Sequence, residues 1–264
     1  MLELKNIHKT FNKGTVNEKV ALNGVDLTLE EGDFVTVIGG NGAGKSTMLN
    51  MIAGVFPVDE GNVIIDGTDV TSLPEHKRAK YLGRVFQDPM MGTTADMWIE
   101  ENMALANRRG KSRGLNWAIN KKEREYFKSL LTELDLGLEN RLSTKVGLLS
   151  GGQRQALTLL MAVMNKPKVL LLDEHTAALD PKTAARVLEL SDKFIADEGL
   201  TALMVTHNMK DAINHGNRLI MMNSGKIIFD VKGEDKKKLT VEDLLSAFTK
   251  SSGMEFSNDR ALLG

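Results

Sequence analysis

The sequence predicts an α/β fold interrupted by a helical insert, and three observations carry that reading. Two apolar runs of strand length, Phe34 to Ile38 and Val169 to Leu172, are continuous rather than alternating, as strands covered on both faces are. A glycine-rich loop at residues 39–47 joins the first run to a segment, Lys45 to Ala53, with helical apolar spacing. Between them, residues 88–160 change character, becoming rich in Met, Lys, Arg, Glu and Leu with helical periodicity.

The elements follow in order. Residues 2–11 alternate loosely and break at Asn12-Lys13-Gly14, which predicts an edge strand and a turn. Val25 to Leu29 alternates as a half-buried strand does, and Val63-Ile64-Ile65 ends in the turn Asp66-Gly67. Helices are expected over Lys122 to Leu134 and Gln153 to Met164 within the insert. After Pro167 the α/β pattern resumes: strand Val169 to Leu172, helix Thr183 to Ala196, strand Leu200 to Thr206, short helix Asp211 to His215. Arg218 to Asn223 and Lys226 to Asp230 form a hairpin around Ser224-Gly225, and Thr240 caps a last helix reaching Lys250. Residues 1–250 are read as one domain, with 251–264 a polar, loose tail.

Composition excludes several functions. Charged residues make up 26% and the net charge is −1, so the basic excess of a nucleic-acid binder is missing. With no cysteine there can be no disulfide, thiolate metal site or cysteine nucleophile. The N-terminus lacks the charged-then-apolar pattern of a signal peptide. No apolar run approaches the roughly 18 residues of a membrane span, so a membrane role would be that of a partner on the cytoplasmic side. Lys236-Lys237-Lys238 could touch anionic lipid, although three lysines more often make a solvated turn.

The sharpest chemical signal is Gly39-Gly40-Asn41-Gly42-Ala43-Gly44-Lys45-Ser46-Thr47, which fits G-x-x-x-x-G-K-[ST] between a strand and a helix. Such a loop can curl several N–H groups around one phosphate, and the following helix adds its positive end. Lys45 would reach the β- and γ-phosphates of a bound nucleotide, and Ser46 would offer its hydroxyl to Mg²⁺. The second signal is the apolar strand ending in Asp173-Glu174. Asp173 suits magnesium, while Glu174 suits the attacking water as general base. Kinases, GTPases, helicases and recombinases all use phosphate loops of this kind.

Leu149-Ser150-Gly151-Gly152-Gln153-Arg154-Gln155 decides among them, because it resembles the signature motif of ATP-binding-cassette (ABC) ATPases. By itself a Ser-Gly-Gly sequence is an ordinary helix cap. The resemblance implies that Ser150, Gly151, Gly152 and Gln153 close over the γ-phosphate of ATP held by another subunit, so that two chains sandwich two nucleotides. It extends over about residues 2–250. It identifies Gln87 with the Q-loop glutamine that contacts magnesium and water, Asp180 with the D-loop aspartate, and His207 with the switch histidine that contacts the γ-phosphate. Phe11 resembles the aromatic residue that stacks on adenine, where relatives more often have tyrosine. One departure is His175, after Glu174, where most relatives carry proline.

The implied fold is a P-loop NTPase core of ABC type, with an antiparallel β subdomain and a helical signature-motif insert at about 88–160. The implied function is ATP hydrolysis powering solute transport, most similar to importers fed by an extracytoplasmic substrate-binding protein, some of which handle amino acids. The expected partners are a second copy or a paralogous ATPase subunit, transmembrane permease subunits and that binding protein, without nucleic acid. The expected location is peripheral, on the cytoplasmic face of the membrane. Met90, Met91, Met97 and Trp98 are candidates for an adaptable apolar docking surface, or else for core. The competing function is a cytosolic ABC ATPase of an assembly complex, such as iron–sulfur cluster delivery.

Overall fold

The computed structural model describes residues 1–111 and 119–252, so the tail expected at 251–264 falls almost wholly outside the described residues. The chain forms two compact units. One comprises Met1–Arg78 and the described part of Gly199–Gly264, and the other Ala79–Glu198.

The first unit opens with β1 (Leu2–Phe11) and β2 (Lys19–Leu29), followed by β3 (Phe34–Ile38), α1 (Lys45–Ala53), β4 (Glu60–Ile65), β5 (Thr68–Asp69) and α2 (Glu75–Arg78). An antiparallel sheet runs in the order β2-β1-β4-β5. This corrects the expectation for residues 2–11: β1 is an interior strand, pairing with β2 on one side and β4 on the other. Its alternation reports which side chains turn inward, but not how many neighbours the backbone has.

The second unit contributes β6 (Leu82–Val85), α3 (Ile99–Asn107), α4 (Lys121–Thr132), α5 (Gly151–Val163), β7 (Val169–Asp173) and α6 (Pro181–Glu198). Strands β6 and β7 are parallel, in a register that sets Val85 opposite Leu172. Every residue of α5 from Arg154 to Val163 is buried, including the polar Arg154, Gln155 and Thr158. An ion pair with one buried end joins α4 to α3: the exposed Arg124 donates from Nε and Nη2 to the Glu100 carboxylate at 2.6 and 2.9 Å, and Glu100 is 1% exposed.

The chain then returns to the first unit with β8 (Ala202–Val205), α7 (Met209–Asn214), β9 (Arg218–Asn223), β10 (Lys226–Lys232), α8 (Glu234–Lys237) and α9 (Val241–Ser252). As the continuous apolar run predicts, β3 is buried at all five positions and lies between β8 and β9, parallel to both. The β9–β10 hairpin turns through Ser224 and Gly225, both at positive φ (47° and 75°), as two-residue hairpin turns of type I′ require. Thr240 caps α9 as expected, in a reciprocal box: its Oγ1 accepts from the Asp243 N–H at 3.2 Å, and its own N–H donates to Asp243 Oδ2 at 3.0 Å. Lys236 departs from the solvated or lipid-facing reading. It is 2% exposed, and its ammonium donates to the carbonyls of His215 and Gly216, terminating the segment that follows α7.

The helix behind the glycine-rich loop is anchored at its far end. Arg78 is 1% exposed and donates to the carbonyls of Met51 (2.6 Å) and Ile52 (3.0 Å), the last turn of α1, and to those of Thr71 and Leu73 (both 2.8 Å). A cation at a helix C-terminus both satisfies orphan carbonyls and opposes the negative end of the dipole. Among the described residues, no helix is long and apolar enough to cross a membrane.

Candidate active site

In the first unit the glycine-rich loop grows directly out of β3. Gly39 sits at φ +153°, and a Cβ there would fall 2.3 Å from the Met222 carbonyl oxygen of β9. Only a residue without a side chain can pass that carbonyl. The back of the loop is braced by the hairpin tip: the Gly225 N–H donates to the Ala43 carbonyl at 3.0 Å, and the Gly225 carbonyl accepts from the Asn23 N–H of β2 at 2.9 Å. Helix α1 starts at Gly44 without a side-chain cap, so its first amides and its dipole form an anion-binding end. Lys45 is 5% exposed and bends over the loop, with Nζ donating to the carbonyls of Gly39 (2.7 Å) and Gly40 (3.2 Å). Asn41, Gly42 and Ser46 are exposed, and Thr47 is half-buried.

Two further predicted residues belong to this unit. His207 follows β8 and lines one cavity together with Ile38, Gly39, Met209, Met221 and Phe248, so it shares a wall with the first glycine of the loop. Phe11, at the end of β1, meets the ring of Phe56 edge-on, with centroids 5.2 Å apart and planes at 81°. Sequence reasoning assigned nothing to Phe56, since an aromatic residue after a helix carries no sign of its partner.

In the second unit, Asp173 ends β7, and Gln87 lies two residues beyond the end of β6, its parallel neighbour. Both therefore leave the carboxyl ends of adjacent strands, where parallel sheets place their ligands. Arg84 Nη2 lies 3.6 Å from Asp173 Oδ2, and its guanidinium carbon 4.5 Å from the Phe86 ring centroid. Glu174 adopts φ +47°, a left-handed conformation costing a non-glycine residue about 1–2 kcal/mol. Its carbonyl accepts from the Ala177 N–H at 3.0 Å, closing a turn. Local strain of this kind collects at sites where a side chain must be aimed.

Ser150 is the N-cap of α5. Its Oγ accepts from the Gln153 N–H and its N–H donates to Gln153 Oε1, both at 3.2 Å. The ordinary cap reading of Ser-Gly-Gly is thus true of the fold, and it leaves the helix end aligned for an anion. Gly152 is also demanded by packing, because a Cβ there would lie 2.0 Å from Thr183 Cγ2 of α6, whereas at Gly151 the nearest atom, Leu179 Cδ2, is 3.6 Å away. Asp180 caps α6, its Oδ1 accepting from the Thr183 N–H at 3.1 Å, and hydrogen bonding by Thr183 holds its carboxyl below the usual range. Three of the four candidate docking side chains lie on the surface, with Met90, Met91 and Trp98 exposed and Met97 half-buried.

The donors proposed for a metal are a hydroxyl (Ser46), an amide oxygen (Gln87) and a carboxylate (Asp173). All are oxygen ligands, a set that fits Mg²⁺ rather than a softer ion. Among the described residues no three His, Asp or Glu side chains cluster to hold a metal. A magnesium ion would complete its shell with phosphate oxygens and water, as that ion ordinarily does.

Comparison with known proteins points one way. The sequence model of the ABC transporter family matches residues 22–177. A tyrosine transport ATP-binding protein of Clostridioides difficile is 45% identical over 94% of this chain and 98% of its own length. A xylose/arabinose import ATP-binding protein of Sulfolobus acidocaldarius is 34% identical over 94% of each chain. Among solved structures, a dimeric ATP-binding cassette in a post-hydrolysis state bound to ADP and Pi superposes with a TM-score of 0.75 at 32% identity, covering 88% of this chain and 98% of that one. The cassette of another ABC transporter in its ADP conformation gives 0.77 at 28% identity, covering 94% and 98%. The chain belongs to the ABC transporter family and is one of its ATP-hydrolysing subunits.

Proposed function

We propose that this chain powers a solute importer, and that the solute is an amino acid of the aromatic class. The observation that carries this reading is the near full-length, 45% identity to a protein named for tyrosine transport. Relatives at lower identity are named for sugars and polyamines, which supports import as the common activity and leaves cargo to the more similar relative. The chain works with a second ATPase subunit, a copy of itself or a paralogue, and with permease subunits whose cytoplasmic segments meet the surface around Met90, Met91 and Trp98. An extracytoplasmic binding protein delivers the cargo, and the ATPase remains peripheral on the cytoplasmic face.

In this reading the amides of residues 39–47 and the Lys45 ammonium hold the β- and γ-phosphates, while Phe11 stacks on adenine. Ser46, Gln87 and Asp173 hold Mg²⁺, which when bound supplies charge neutralisation at the phosphate oxygens. Glu174 orients and polarises the attacking water, and His207 donates to the γ-phosphate. Ser150, Gly151, Gly152 and Gln153 of the partnering subunit close over that phosphate, with Asp180 acting across the pair. ATP thus serves as a bridging ligand, and pairing is tight only when it is bound.

The test is to purify the tagged chain from native membranes in mild detergent, identify what accompanies it, and measure uptake of labelled tyrosine, phenylalanine and tryptophan by cells with and without the chain. A multi-span permease together with lost aromatic uptake is expected. Soluble partners alone would move the chain to an assembly role, and a permease with normal aromatic uptake would refute the cargo.

A further inference from the structure

The residue after Glu174 is held more tightly than a turn residue needs to be. His175 is 2% exposed, and its Nε2 lies 3.0 Å from Ser191 Oγ on α6. Ser191 Oγ is itself 2.9 Å from the Val187 carbonyl. A hydroxyl has one hydrogen, and only that hydrogen can bridge to a carbonyl. Ser191 therefore accepts from His175, whose Nε2 carries the proton. The backbone of His175 is held as well. Its carbonyl accepts from Gln155 Nε2 at 2.7 Å, and the same amide nitrogen donates to the Phe86 carbonyl at 2.9 Å. Both hydrogens of that nitrogen are thereby used, and Gln155 Oε1 is left buried with no hydrogen-bond partner. An unsatisfied buried acceptor costs about 1–3 kcal/mol. The fold retains this arrangement because the opposite amide orientation would set an oxygen against two carbonyls and break both bonds.

Between these two anchors and the end of β7 lies Glu174 in its left-handed conformation. We propose that His175 is a positioning residue for hydrolysis: its side chain on Ser191 and its carbonyl on Gln155 hold Glu174 at the angle that aims its carboxylate. Gln155 belongs to the helix that begins at Ser150, and Phe86 directly precedes Gln87. The same amide thus ties the Glu174 turn to two other segments of the site. This inference rests on Glu174 as the base, and the test separates the two.

ATPase kinetics of the full chain are measured for His175→Ala, His175→Gln, Ser191→Ala and Glu174→Gln, and for His175→Ala combined with Glu174→Gln. A glutamine Nε2 can reach Ser191 much as the imidazole Nε2 does. His175→Ala is expected to lower kcat about 10-fold with KM for ATP within about twofold, because a misaimed base slows chemistry and leaves nucleotide binding alone. His175→Gln should recover most of that loss, and Ser191→Ala, a small change inside α6, should lower kcat in the same direction. In the Glu174→Gln background, His175→Ala should change residual turnover by less than about twofold, since its effect acts through the missing carboxylate. Unchanged kcat in both His175→Ala and Ser191→Ala would overturn the proposal, as would no recovery by glutamine or an equal loss in the Glu174→Gln background. Normal turnover by Glu174→Gln would instead refute Glu174 as the base.

Discussion

Gly39 and Gly40 are neighbours in the same loop, and the structure predicts opposite outcomes for the same methyl group. At Gly39 a Cβ would lie 2.3 Å from the Met222 carbonyl oxygen, about 1 Å inside ordinary contact. The backbone there is also at φ +153°, a region all but reserved for glycine. The dihedral strain is about 1–3 kcal/mol, and the overlap adds about 1–3 kcal/mol. The carbonyl cannot retreat, because β9 is bonded to β3 on one side and β10 on the other. The loop must yield instead, and its amides move away from the place proposed for the phosphates. Loss of about 2.7 kcal/mol of binding corresponds to about 100-fold in ATP affinity. At Gly40 the nearest atom is Cζ of Phe248, at 3.4 Å, and Gly40→Ala should bind ATP within about threefold of the parent chain. Titration calorimetry with ATP and Mg²⁺, alongside a thermal melt of each variant, measures both. The reasoning fails if Gly39→Ala retains parental affinity, or if Gly40→Ala loses as much.

Four other outcomes are expected. Glu174→Gln should retain ATP yet lose about 10²–10⁴ in turnover, the usual contribution of a general base, measured by phosphate release. Lys45→Ala removes charged hydrogen bonds worth about 1.5–3 kcal/mol, so ATP affinity should fall about 10- to 100-fold by calorimetry. Ser150→Ala should cost about 1 kcal/mol as a lost cap in denaturant melts. It should spare ATP binding by the monomer but abolish ATP-dependent pairing on gel filtration, and ATP-driven pairing by the variant would contradict the assigned role. Hydrogen bonding by Thr240 depresses the pKa of Asp243, so the α9 cap is fully stabilising above the ordinary carboxylate value of about 4 and is lost as pH falls through the depressed value. Hydrogen exchange of α9 should accelerate over that acid range in the parent chain, and Asp243→Asn should remove the dependence.

The parts of the site that were legible in the sequence are those whose chemistry is contiguous. The 39–47 loop, the strand ending in Asp173-Glu174 and the Ser150 cap each carry residue type, spacing and flanking element within one short window. What stayed hidden depends on partners far along the chain. The alternation of β1 could not show that it has two neighbours, because β2 and β4 are separate segments. Lys236 read as solvated because its acceptors are backbone carbonyls, which every residue carries and no side chain announces. Gln155 stood inside a recognised motif without a role, since the carbonyls it joins lie 69 and 20 residues away. Buried polar residues on a helix look like a surface face until the loops that cover them are in place.

The hydrogen bond from the hairpin tip to Ala43 has a consequence for thermodynamics. Because Gly225 and Arg78 hold the loop and its helix from behind, their conformational freedom is surrendered when the chain folds, before any nucleotide arrives. Association then has little backbone left to order, so its entropy penalty should be small for the phosphate grip proposed for residues 39–47. Substitutions in the Ser224-Gly225 turn, remote in sequence from the loop, would return that penalty to the binding step. They would appear as weaker affinity with a less favourable entropy and an unchanged set of contacts, an allosteric lever formed by a two-residue turn.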